Sequence, residues 1–84
     1  MLSGEQVRAA RGLARMEQAE LAEKAGLSVQ TVKRLERTVG PITANTTTEA
    51  AVRRAFTAAG VIFLDENGDG PGVRLRKPPG ARPA

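Results

Sequence analysis

The sequence predicts a mainly α domain, four helices followed by a C-terminal β-hairpin, and three observations carry that reading. Apolar residues recur at helical spacing in four segments before Gly60. Serine, threonine, glycine and proline fall at the ends of those segments, where helices start and stop. After Gly60 the helical period gives way to two short β-prone runs separated by turn formers.

The first helix is predicted over Gly4–Arg15. Ser3 with Gln6 three residues later is a capping-box pattern, and Val7, Ala10 and Ala14 form the inward stripe, with Leu13 at its margin. Gly12 in the middle costs about 1 kcal/mol relative to alanine. The second helix is predicted over Gln18–Ala25, its stripe made by Leu21, Ala22 and Ala25, and Gly26 can take the left-handed conformation that closes it. The third runs over Val29–Arg37. Ser28 supplies the capping hydroxyl, Leu27 enters the core between the helices, and Val32 and Leu35 face inward. Gly40 and Pro41 stop any helix, so TVGPITAN reads as a loop. Thr46 and Glu49 predict a second capping box, opening a fourth helix to Ala59 with Val52, Ala55, Phe56 and Ala59 at core spacing and Gly60 as its stop.

VIFL (61–64) and GVRLR (72–76), separated by DENGDGP, predict the hairpin. Val61 and Phe63 share one face of the first strand and Ile62 and Leu64 the other, while Val73 and Leu75 alternate with Arg74 and Arg76. An isolated two-stranded sheet is marginal in water. One face should therefore lie on the helices, and the other face or the open edge should meet a second subunit, with Ile62, Leu64, Val73 and Leu75 as the dimerisation set. The resulting organisation is a helical domain over 1–60, a hairpin of the same domain over 61–76, and a disordered tail over 77–84, where KPPGARPA has nothing to bury.

DENGDG at 65–70 also matches the opening of a calcium loop, with Asp65, Asn67, Asp69 and Gly70 at ligand and turn positions. The closing glutamate is missing. Arg76 stands there instead, and a strand precedes the loop where a helix is required, so the residues read as a hairpin turn without metal.

Composition narrows the function classes. Eighty-four residues give one small domain with no room for a second, ligand-sensing one. Thirteen Lys and Arg against nine Asp and Glu leave a net charge of +4, which suits a polyanionic partner. With no cysteine and no histidine there is no disulfide framework, no thiolate site and no common general base. The hydroxyls of Ser3, Ser28 and Thr46 to Thr48 have no histidine to activate them, so neither an enzyme nor a cofactor is predicted. The longest strongly apolar run is Val61 to Leu64, far short of a membrane span, and a soluble, cytoplasmic protein is expected. Phe56 and Phe63, the only aromatics, lie in apolar periodic segments, which argues against base stacking.

Residues 18–37, QAELAEKAGLSVQTVKRLER, thus form two short helices around a turn at Gly26 and Leu27. The stretch resembles the DNA-binding helix-turn-helix of the Cro/cI (XRE) class of phage repressors and bacterial regulators. Gln18 opens the first helix of the pair, small Ala22 sits where the helices touch, Gly26 makes the turn, and Leu21, Ala25, Leu27, Val32 and Leu35 fill the buried positions. Arg11 and Glu36, which pair in that class to tie the first helix to the recognition helix, extend the resemblance to about residues 4–60. Two positions depart from it: Glu17 stands where the class commonly has Ser, Thr or Asn, and the hairpin replaces a fifth helix, so the class's mode of dimerisation is not implied.

The resemblance implies that the N-terminal part of the third helix enters the major groove of duplex DNA. With Val32 and Leu35 turned inward, the other side presents Ser28, Val29, Gln30, Lys33 and Arg34, the base-reading set. Gln30 suits an adenine edge, Val29 a thymine methyl, and Arg34 or Lys33 guanine or phosphate. Gln18, helped by free amides at its helix start, and Arg37 are assigned to phosphate. The implied function is a sequence-specific transcriptional regulator that binds double-stranded DNA as a homodimer on a near-palindromic operator. The alternative is an antitoxin or adaptor whose hairpin grips another protein.

Overall fold

A computed structural model describes residues 2–42, 44–65 and 68–77. The sequence expectations for Thr43, Asn67 and the tail beyond Lys77 lie outside the described residues. The elements are α1 (Gly4–Ala14), α2 (Gln18–Ala25), α3 (Val29–Arg37), α4 (Thr46–Ala58), β1 (Val61–Leu64) and β2 (Gly72–Leu75).

Several helix boundaries have a local cause. At the start of α1 the Ser3 hydroxyl accepts the Gln6 N–H at 3.1 Å and the Gln6 side-chain oxygen accepts the Ser3 N–H at 2.9 Å, a complete capping box. Arg15 ends α1 in the left-handed region (φ 54), its N–H returning to the Arg11 and Gly12 carbonyls. Gly26 (φ 69) ends α2 in the same way, and the Ser28 hydroxyl caps α3 by accepting the Thr31 N–H at 3.1 Å. The fourth helix corrects the sequence reading. Asn45, not Thr46, is its cap, accepting the Thr48 N–H at 2.7 Å. An asparagine carbonyl on extended backbone reaches the third amide directly and ranks above threonine as a cap. The Thr46–Glu49 box therefore does not form, and Glu49 pairs instead with Arg53 one turn on, at 3.3 Å.

The core gathers one stripe from every helix: Val7 and Ala10 of α1, Leu21 and Ala22 of α2, Val32 and Leu35 of α3, and Val52, Ala55 and Phe56 of α4, closed by Val61. Leu2, Met16 and Ile42, which sit between elements rather than in any stripe, are buried with them. For Leu2 and Ile42 the burial follows from backbone pairing. The Ile42 N–H donates to the Leu2 carbonyl at 2.9 Å and the Gly4 N–H to the Gly40 carbonyl at 3.1 Å, a short bridge that stitches the segment after α3 to the start of α1. Gly4 is required there. A Cβ on it would run into the Thr38 carbonyl oxygen and lie 2.7 Å from that of Leu35. Glu5 accepts the Gly40 N–H at 3.1 Å, and backbone N–H donation from its own residue and from Gly40 holds its carboxyl below the usual value.

The hairpin is antiparallel, with Val61 opposite Leu75 and Phe63 opposite Val73. Those four side chains form its inner face: Val61 is buried, and Phe63, Val73 and Leu75 pack against the helical core. Phe63 meets Phe56 edge-on at 5.7 Å, and the Arg53 guanidinium stands 5.8 Å from the Phe63 ring centre. The end next to the turn is pinned by Gln6, whose side-chain N–H groups donate to the carbonyls of Leu64 (3.2 Å) and Gly72 (3.1 Å). Gly68 and Gly70 take positive φ in the connecting turn. No group of three acidic side chains able to hold a metal occurs among the described residues.

Candidate nucleic-acid interface

The turn at Gly26 sets the direction of α3: the Leu27 N–H returns to the Ala22 carbonyl at 2.8 Å, and Ser28 then starts the new helix. One side of α3 buries Val32, Leu35 and Glu36. The opposite side exposes Gln30, Lys33, Arg34 and Arg37. Their spacings of three and four residues make them neighbours on one helical surface. The α3 carboxylate is on the buried side, so this surface carries three cations and one amide with no acid of its own helix.

The five residues assigned to base reading are thus not equivalent. Gln30, Lys33 and Arg34 lie together on the open face, and Arg37 joins them one turn on. Ser28 is exposed, but its hydroxyl is engaged by the Thr31 N–H and lies 2.9 Å from the Thr31 hydroxyl. Val29 is half-buried and packs against the core.

Glu36 fixes α3 to the rest of the domain. Its carboxylate receives the Arg11 Nε at 2.6 Å and Nη2 at 3.0 Å, and the Gln18 Nε2 at 3.2 Å. Arg11 Nη1 donates to the Met16 carbonyl at 3.0 Å. The hydrogen bond to Glu36 raises the Arg11 pKa, against the opposing effect of partial burial. A partly buried, bidentate pair of this kind sets geometry more surely than it adds stability. Here it joins α1, α2 and α3, and so holds the outward face of α3 relative to the start of α2.

Gln18 belongs to this network, which sequence spacing did not reveal because its partner lies on another helix. Its amide has two N–H donors, and one is committed to Glu36. Glu17 occupies the cap position of α2 yet makes no side-chain capping bond, so a carboxylate that could cap leaves the first-turn amides open. These groups border a recess of about 350 Å³ lined by Arg11, Glu17, Gln18, Ala19 and Val29, between the start of α2 and the start of α3.

The dimerisation set divides between two faces. Val73 and Leu75 pack on the helices with Val61 and Phe63, whereas Ile62 and Leu64 lie on the opposite face, where Leu64 is 42% exposed.

Two helices around a left-handed glycine, a tethered second helix and a cationic outward face define a helix-turn-helix unit. The model of the helix-turn-helix family matches residues 7–46, from the first turns of α1 to the first residue of α4, and this segment is a helix-turn-helix of the Cro/cI (XRE) type. Such a domain is the DNA-binding element of transcriptional regulators. Nearly all of α4 and the whole hairpin lie outside the match. No curated protein matches the chain. Among the described residues no helix is long and apolar enough to cross a membrane.

Proposed function

We propose that this chain is a transcriptional regulator that reads double-stranded DNA through α3 and binds a near-palindromic operator as a homodimer. The observation that carries the reading is the acid-free face of Gln30, Lys33, Arg34 and Arg37, held opposite a buried Glu36 by Arg11 and Gln18. Gln30 makes the adenine-type contact, and Lys33 and Arg34 reach guanine edges or phosphate. Val29 offers its exposed part to a thymine methyl, and Ser28 approaches the DNA while capping the helix. Gln18 uses its second amide hydrogen, with the open first-turn amides of α2, to hold a phosphate, and Arg37 holds another. Ile62 and Leu64 form the subunit contact, supported from beneath by Val73 and Leu75, which seat the hairpin on the helices.

Selection of bound sites from random duplex DNA, followed by competition binding, tests this reading. Gln30→Ala should cost about 1–3 kcal/mol on the selected site and much less on random DNA, because a base contact carries sequence information. Gln18→Ala should weaken both alike. Equal losses on the two DNAs for Gln30→Ala would remove it from the base-reading set.

A further inference from the structure

A recess that shares no residue with the outward face of α3 lies where the start of α1, the segment after α3 and the turn end of the hairpin meet. It is a groove of about 760 Å³, within the size range of ligand-binding clefts. Ala9, Val39, Pro41, Pro71 and Val73 line it with apolar surface. Val39 is 88% exposed, so the fold leaves almost all of this side chain in water. A lone exposed valine means little. Val39 instead shares one groove with four other apolar residues.

The walls are tied together before anything binds. Gln6 bonds the Leu64 and Gly72 carbonyls of the hairpin, while Gly40 accepts the Gly4 N–H and donates its own N–H to the Glu5 carboxylate, both at 3.1 Å. A groove held in this way loses little freedom on binding. Ser3 and Gln6, the buried polar residues of the lining, have their side chains engaged in the capping box and in those bonds. A small molecule therefore meets few groups that could orient it.

Charge selects the occupant. Among the described residues, Glu5 and Asp65 are the charged side chains that line the groove, in a chain whose net charge is +4. Arg8 acts on Glu5 through space, yet no ion pair joins them among the described residues. Two carboxylates repel a phosphate backbone and attract a Lys or Arg. We infer that this groove docks a short apolar segment of another protein, one that carries a Lys or Arg to set beside Glu5 or Asp65. Such a contact leaves Gln30, Lys33, Arg34 and Arg37 untouched, so the segment can bring a second protein to the domain without competing for those residues.

Random heptapeptides displayed on phage, selected against the full chain without DNA, should enrich sequences that place a Lys or Arg among apolar residues. A synthetic copy of the most enriched peptide, titrated into the isotope-labelled chain, should shift the backbone amides of Ala9, Val39, Gly40, Gly72 and Val73 and leave those of Gln30 and Arg34 in place. Glu5→Gln combined with Asp65→Asn keeps an acceptor for the Gly40 N–H and should weaken the peptide about threefold to tenfold. Val39→Ser, at a position the fold does not bury, should weaken it about fivefold. Circular dichroism checks that both variants fold. No enrichment over the unselected library, enrichment of acidic peptides, or binding indifferent to both folded variants would each overturn the inference. So would a groove already taken. Shifts at Val39 and Val73 that depend on protein concentration without peptide would give it to a second copy of this chain, and shifts there on Arg82→Ala would give it to the chain's own C-terminal segment. Because these readouts contain no DNA, a chain that binds the peptide as described but selects no DNA sequence would sink the regulator reading and leave the docking groove standing.

Discussion

Two glycines in α1 are chemically identical and do opposite things. Gly12 is exposed with nothing within 4 Å of where a Cβ would stand, so it only loosens the helix. Gly4 is buried against the last carbonyls of α3, where a Cβ has no room. Gly12→Ala should therefore raise stability by about 0.5–1 kcal/mol, and Gly4→Ala should lower it by about 1–3 kcal/mol or more, since the obstacle is backbone rather than a flexible side chain. Thermal or urea unfolding of the two variants measures both signs. A neutral Gly4→Ala would show that α1 does not sit against α3 as described. The sequence distinguishes neither case, because the difference lies in what approaches from another helix. What it does show at single residues is local chemistry: Ser3, Gly26 and Ser28 each bond as their positions predict. Asn45 displaced Thr46 because two adjacent residues could both cap and the better acceptor prevailed.

At the scale of elements, Gln6 joins what the sequence keeps 58 and 66 residues apart. Its oxygen completes the α1 capping box, which was legible three residues away; its amide nitrogen holds the end of the hairpin, which was not. Gln6→Glu separates the two roles. The carboxylate can still accept the Ser3 N–H but faces the Leu64 and Gly72 carbonyls with no donor. That variant should lose about 1–3 kcal/mol, and hydrogen exchange at the hairpin amides of Ile62, Leu64, Gly72 and Arg74 should accelerate more than exchange in α2. Uniform acceleration across all elements would mean that Gln6 serves only the cap. The alternation of β1 likewise told of two apolar faces, but which one the helices cover depends on Phe63 finding Phe56 and Val61 closing the core.

For the whole molecule, the helical stripes indicated most of the core, while Leu2, Met16 and Ile42 escaped notice because a lone apolar residue in a connection has no period to betray it. The cationic face of α3 was legible for the opposite reason: the period that turns Val32 and Leu35 inward turns Gln30, Lys33, Arg34 and Arg37 outward. That face makes salt dependence a measure of both contact and stoichiometry. Each phosphate neutralised releases condensed counterion, so the logarithm of affinity falls with the logarithm of salt by about 0.9 per contact. On the proposed reading, Arg37→Ala removes one such contact from each subunit. If a dimer occupies the operator, the slope should become shallower by about two units, against about one for a monomer, with the affinity on random DNA falling in parallel. Gln30→Ala, which on the same reading removes a base contact and no charge, should leave the slope unchanged. Titrations of the three proteins across a salt series read these differences directly, and a slope indifferent to Arg37→Ala would remove that residue from the phosphate-binding set.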